Sequence, residues 1–185
     1  MYASRVDDSG RGRRKQGGAL MKNRTKKISL TALYGALALI TFLLENLVPS
    51  FFVPGAKMGL GNIFVMLALY TFGVGEAFCV FLVKCILGNL LSGTLSSMLF
   101  SFLAGATSLL ACCLLWKFAK NKISLPAVSV AGAVINNIVQ NLIYAFLTQT
   151  VLVLSYLPYL ALLGVLSGAI TGIITALIVK KVPKI

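Results

Sequence analysis

Few side chains in this sequence could do chemistry, and their scarcity makes each one legible. Between Ile28 and Val179 the charged residues are Glu45, Lys57, Glu76, Lys84, Lys117, Lys120 and Lys122, set in an otherwise apolar run. Lys84 falls about halfway along one apolar segment. A lysine at such depth in a membrane costs about 2.5–3.5 kcal/mol, so it must face an acid or a cavity. Glu45, near the outer end of the first apolar segment, is the acid within reach. The two could form an ion pair, or one or both could contact a ligand. A second group is a row of polar residues, Ser129, Asn136, Asn137, Gln140, Asn141, Tyr144 and Thr148. At 100° per residue they fall within about 140° of one helix face. Lipid offers amides no partners, so that face must look inward, toward other helices or into a cavity. Four clustered amides exceed what packing requires, an interhelical hydrogen bond being worth only about 0.6 kcal/mol. The third group is the loop PGAKMGLGN, Pro54–Asn62. Its glycines allow close backbone approach, and next to a helix start such a loop is suited to an anion. It matches neither a Walker motif nor a dinucleotide fingerprint.

These groups define the candidate substrate-binding set: Lys57, Asn62, Lys84, Asn89, Asn136, Asn137, Gln140 and Asn141. Lysines without free acids nearby suggest an anionic or amide-rich substrate. Other chemistry is excluded by what is missing. The chain has no histidine. Cys79, Cys85, Cys112 and Cys113 all lie in apolar runs without metal spacing and read as small buried residues. No metal site, cofactor, Cys–His pair or Ser–His–Asp triad is expected, and haem carriage by histidine ligands is ruled out. The acids number four, Asp7, Asp8, Glu45 and Glu76.

The elements that must position these groups are membrane helices. The chain is 58% hydrophobic and 11% charged over 185 residues, against about 25% charged in soluble domains. Six spans are expected, at about 28–48, 58–74, 76–91, 95–118, 126–152 and 157–179. The fold class is an all-α, six-helix membrane bundle. Lys22, Arg24, Lys26 and Lys27 precede the first span, Lys117, Lys120 and Lys122 fill the gap after the fourth, and Lys180, Lys181 and Lys184 follow the sixth. These places share one side, and the other has Lys57 alone. By the positive-inside rule both termini are cytoplasmic, in a multi-pass protein of the cell membrane. Residues 1–27 read as a basic cytoplasmic tail near anionic lipid, and 28–180 as the membrane domain. The tail has no stacking aromatics beyond Tyr2, so nucleic acid is not expected as a partner. Met21 opens a natural start, MKNRTKKISL, and residues 1–20 read as a start-site extension. A cleaved signal peptide is not expected.

Small residues mark where helices can pack closely. They recur as Gly164, Gly168 and Gly172 in the sixth span and as Ser97, Ser101, Gly105 and Ser108 in the fourth. In the first span Ala32 and Ala36 lie one turn apart beside Gly35, and that stripe suits either intrachain packing or a partner.

The loop PGAKMGLGN, the Lys84–Gly88 segment and AVSVAGAVINNIVQNL (Ala127–Leu142) together resemble the membrane family named heptaprenyl diphosphate synthase component I, also described as a Gx-type transporter family. The resemblance covers about residues 28–180. The family looks related to the substrate-binding S components of energy-coupling-factor (ECF) transporters. That relation implies a six-helix capture subunit that binds substrate near its outer face. It would dock on a transmembrane subunit carrying two ATPases through an AxxxA surface, matched here by Ala32 and Ala36. The enzyme name meets an obstacle in the residues. Prenyl chain elongation needs clustered aspartates to hold magnesium on the diphosphate, and Glu45 and Glu76 are singletons at span ends.

The leading expectation is therefore a noncatalytic S-component-like subunit for small-molecule uptake, energised by partner ATPases because the chain has no ATP motif. The rival is a noncatalytic membrane partner of a soluble prenyl synthase in isoprenoid or quinone biosynthesis.

Overall fold

The computed structural model describes residues 4–47, 59–93, 95–118 and 123–181, with side chains from residue 24 in the first helix and from residue 98 in the fourth. The described chain is helical throughout: α1 Ser4–Leu47, α2 Asn62–Thr71, α3 Val74–Leu91, α4 Leu95–Phe118, α5 Leu125–Thr148, a 3₁₀ turn Val151–Tyr156 and α6 Leu157–Lys181. Five stretches are long and apolar enough to cross a membrane: Arg24–Leu47, Val74–Leu91, Met98–Phe118, Leu125–Thr148 and Val151–Lys181. The expected boundaries of α3 to α6 hold to within a few residues. The helix α1 does not stop at the expected tail boundary but continues back through the basic segment to Ser4.

The helix ends follow local chemistry. The N–H groups of Phe72 and Gly73 both donate to the Ala68 carbonyl, and Gly73 then turns the chain with φ +112°, a conformation side chains resist. Pro126 sits in the first turn of α5, where its missing N–H costs nothing. The same helix was expected to run to Leu152. It ends at Thr148 because Gln149 takes a left-handed conformation (φ 53°) and its N–H caps back to the Ala145 carbonyl.

Cross-helix contacts define two ends of the bundle. At one end Lys27 pairs with Glu76 at 2.5 Å, and Tyr70 meets Trp116 edge-on at 6.4 Å. The last turns of α4 and α6 bring Lys117, Lys180 and Lys181 to this same basic end. At the opposite end Asn46 of α1 donates to the Ser92 hydroxyl at 3.0 Å. Exposed leucines, isoleucines and phenylalanines cover the flanks of α1, α3, α4, α5 and α6, as lipid requires.

The helix α2 departs from the expected second span. It has ten residues, about 15 Å at 1.5 Å per residue, half of a hydrocarbon core about 30 Å thick. It is also the most enclosed element. Val65, Met66, Leu67, Ala68 and Leu69 are all buried, between α1, α3 and α6. Its first turn lies at mid-bundle: a Cβ added at Gly61 would sit 3.1 Å from the Ala38 carbonyl and 3.2 Å from Lys84 Cε. An apolar run hides this difference, because a lipid-facing span and a fully enclosed half-helix have the same composition.

At the α5–α6 seam the α6 glycines lie directly against the α5 backbone. A Cβ at Gly168 would stand 2.6 Å from Val130 Cα, and one at Gly172 the same distance from Pro126 Cα. The expected glycine stripe of α6 is thus a packing surface against α5. On α4, Gly105 admits the Phe81 ring and Ser108 donates to the Gly132 carbonyl at 2.7 Å. Ser97 lies outside the described side chains. The α1 stripe behaves differently: Gly35 is buried against Val83, while Ala32 and Ala36 face outward.

Candidate functional site

The polar groups singled out in the sequence converge on one cavity of about 80 Å³ inside the bundle. Helix α1 supplies Glu45, the start of α2 supplies Asn62, α3 supplies Lys84 and Asn89, and α5 supplies Asn136, Asn137 and Gln140. These seven come from four helices, so only the folded bundle assembles them. Lys57 lies outside the described residues, as does the rest of the loop from Pro54 to Met58.

Lys84 reaches the cavity from mid-α3. Its ammonium donates to Asn62 Oδ1 at 2.5 Å and lies 5.8 Å from the centre of the Phe42 ring. Glu45 approaches from the opposite end of α1, and its Oε1 accepts the N–H of Gly59. This carboxylate thereby occupies the start of the α2 segment, where unsatisfied N–H groups and the helix dipole favour negative charge. Among the described residues one ammonium and one carboxylate therefore line the cavity, the two groups whose proximity the sequence suggested.

The amides divide into two classes. Asn137 donates to the Leu160 carbonyl at 3.0 Å, and Asn141 to the Val153 carbonyl at 3.3 Å. Asn89, fully enclosed, donates back to the Cys85 carbonyl at 2.7 Å. These three hold the fold together as well as lining space. Asn136 and Gln140 are half-buried, face the cavity, and have no hydrogen-bond partner among the described residues. They lie one helical turn apart, so both carboxamides point into the same space.

A second chamber of about 140 Å³ adjoins the first, sharing Asn137 and Gln140 as walls. Phe100, Tyr144, Val153 and Leu160 give it an apolar lining, and Asn141 closes it. Asn141 Oδ1 is buried without a hydrogen-bond partner among the described residues. The expected site residue Asn141 thus belongs to this chamber and not to the central one.

The deepest polar contacts below the amides are structural. Ser129 and Thr171 share a hydrogen bond of 2.9 Å across the α5–α6 seam, and both line the central cavity. Phe42, Ser108 and Thr171 were not singled out as site residues. A phenylalanine in an apolar span gives no signal, Ser108 reads as a packing residue, and Thr171 carries no signal of its own. The arrangement can bind, orient and desolvate a small molecule. Among the described residues it pairs no nucleophile with a base.

Residues 34–178, most of the chain and all of the cavity-forming helices, match heptaprenyl diphosphate synthase component I. The chain belongs to that family. The match spans the cavity and excludes the whole basic N-terminal segment, residues 1–27. No curated protein and no solved structure matches the chain. For a component I family member the cavity is the feature to explain, since it brings together groups from both ends of the matched segment.

Proposed function

We propose that the chain is a noncatalytic membrane component that works with a soluble heptaprenyl diphosphate synthase subunit, in isoprenoid or quinone biosynthesis. Family membership carries this reading. The residues agree with a noncatalytic role. Chain elongation needs paired acids to hold magnesium on a diphosphate, and the acids of the membrane region are Glu45 and Glu76 alone. Those two lie at opposite ends of the bundle, one at the cavity and one paired with Lys27. The basic end supports a cytoplasmic orientation for both termini in a multi-pass protein of the cell membrane. It also gives a soluble partner a charged surface to meet. The test is copurification: affinity-tagged protein, gently solubilised, should retain a prenyl synthase subunit and raise its rate or product length. A synthase that neither copurifies nor responds would refute the reading.

A second reading is favoured by two observations. The cavity gathers polar groups from four helices, with the amides of Asn136 and Gln140 lacking hydrogen-bond partners among the described residues, and Ala32 and Ala36 face outward from the bundle. Both suit a subunit of S-component type that captures a small molecule and docks through α1 on a transmembrane subunit with two ATPases. On this reading Asn62, Lys84, Asn89, Asn136, Asn137, Gln140 and Asn141, with Lys57, contact the substrate. Leucine at both alanines should abolish copurification of an ATPase pair while leaving ligand binding intact; retained docking would end it.

A further inference from the structure

We infer that the two adjoining chambers form a binding site for a compact, uncharged molecule with an amide-like edge, and not for an anion. The inference concerns the cavity and goes beyond either partner reading. Three observations carry it. First, among the described residues the formal charges lining the central chamber are one of each sign, Lys84 and Glu45. A charged ligand entering this space between apolar helices would leave one of these charges unbalanced, which is costly. Second, Asn136 and Gln140 present side-by-side carboxamides without partners among the described residues. Each has one acceptor oxygen and an NH₂ donor. Such a pair is matched by a ligand edge that itself carries a donor beside an acceptor, as an amide or a lactam does. Third, Asn141 is 6% exposed, and its Oδ1 is buried in the second chamber with no donor. A buried acceptor left unpaired costs about 1–3 kcal/mol, so this chamber calls for an N–H or O–H from its occupant. Phe100, Tyr144 and Leu160 beside it suit an apolar body bearing that donor.

The synthase reaction would lead one to look for a diphosphate here. The geometry argues against it: the carboxylate of Glu45 already takes the N–H of Gly59 at the start of α2, the place an anion would claim.

The test uses the full chain in nanodiscs, titrated with benzamide, benzoate, benzamidine and inorganic pyrophosphate. The first three share a shape and differ in charge. Benzamide should bind in the millimolar range and raise the melting temperature, with the other three at least about tenfold weaker. Gln140→Leu should abolish the benzamide response while keeping a cooperative melt. Glu45→Gln keeps the acceptor for Gly59 but leaves the charge of Lys84 unbalanced, so benzoate should gain about tenfold. That arm is a gain of binding and decides the matter even if Gln140→Leu fails to fold. Tighter binding of benzoate or pyrophosphate than benzamide by the unaltered protein would overturn the inference. So would no binding of any probe, or an unchanged preference in Glu45→Gln.

Discussion

Replacing Gly168 by alanine should loosen the seam that holds the amide face in place, and the size of the effect can be worked from the contacts. The new Cβ would stand 2.6 Å from Val130 Cα, 3.0 Å from Ala133 Cβ and 3.0 Å from the Ser129 carbonyl oxygen, where ordinary contact begins near 3.4 Å. Two of the three atoms are backbone, so no rotamer change relieves the clash. Helices α5 and α6 must part locally by about 0.8 Å, and a gap of ~0.5–1 Å forfeits a quarter to a half of each dispersion contact it opens. Overpacking of this kind costs about 1–3 kcal/mol. Alanine returns up to about 1 kcal/mol in helix propensity. Lipid supplies no hydrophobic force to push the helices back together. The net expectation is a loss of about 1–2 kcal/mol, and more for Gly168→Val. Reversible unfolding in mixed SDS micelles measures it, with Gly75→Ala as the control, since nothing lies within 4 Å of a Cβ there. The Ser129–Thr171 and Asn137–Leu160 hydrogen bonds cross the same seam, so benzamide binding should weaken together with stability. A Gly168→Ala protein within about 0.5 kcal/mol of the original would refute the claim that backbone contact sets this seam.

Other perturbations separate lining residues from structural ones. Lys84→Met removes the ammonium that lines the cavity with Glu45 and should destabilise by about 3 kcal/mol if the two charges are coupled, while the Lys84→Met, Glu45→Leu double variant should recover part of that loss; equal destabilisation in the double variant would show that they are not coupled. Ala38→Leu, at a fully enclosed site on α1, should destabilise by about 1–3 kcal/mol, whereas Ala36→Leu should leave the melt unchanged; thermal unfolding in detergent compares them. Cysteines introduced at Ser92 and Ile123 should label from opposite sides of sealed vesicles, Ser92→Cys from outside, if the basic end is cytoplasmic; a membrane-impermeant maleimide reads this directly in cells.

Much of this bundle was legible because lipid makes polar residues rare. The row from Ser129 to Thr148 announced an inward face by its helical spacing; Ser129, Asn136, Asn137 and Gln140 do line the central cavity, Asn141 and Tyr144 border the second chamber, and Thr148 is exposed instead. Lys84 announced a cavity by its cost. Beyond that, spacing ran out. Nothing in the sequence separates Asn137, which holds the Leu160 carbonyl, from Asn136, which holds no described residue. The two are adjacent and chemically identical, and only the position of α6 distinguishes them. The placement of Glu45 was likewise half legible. Its nearness to Lys84 was anticipated, but its bond to the Gly59 N–H depends on how the chain re-enters the bundle. Hydropathy could not reveal that α2 is short and enclosed, since enclosure and lipid exposure both demand apolar side chains.

The short helix and the cavity have one cause. A full second span would carry its backbone hydrogen bonds through the centre of the bundle and leave no polar group there needing a partner. Starting α2 at Asn62, level with Ala38 and Lys84, places helix-start N–H groups at mid-bundle, where lipid cannot serve them. Such irregular backbone is tolerated at membrane depth only inside protein or beside a cavity. The sequence meets the demand with residues from other helices: Glu45 accepts from Gly59, and the N–H of Asn62 turns back to the Gly59 carbonyl at 2.8 Å. Asn62 does not cap its own helix, because its Oδ1 is taken by Lys84. The carboxylate thus serves the helix start while the ammonium is held by the first residue of that helix, and both remain at the cavity wall. A glycine-rich approach is needed for this, since Gly59 has φ +69° and Gly61 touches the α1 backbone. The loop that carried the family resemblance therefore ends in the residues that build the cavity. Gly59 and Gly61 serve close packing and a carboxylate from within the chain, so an external anion is not required to explain them.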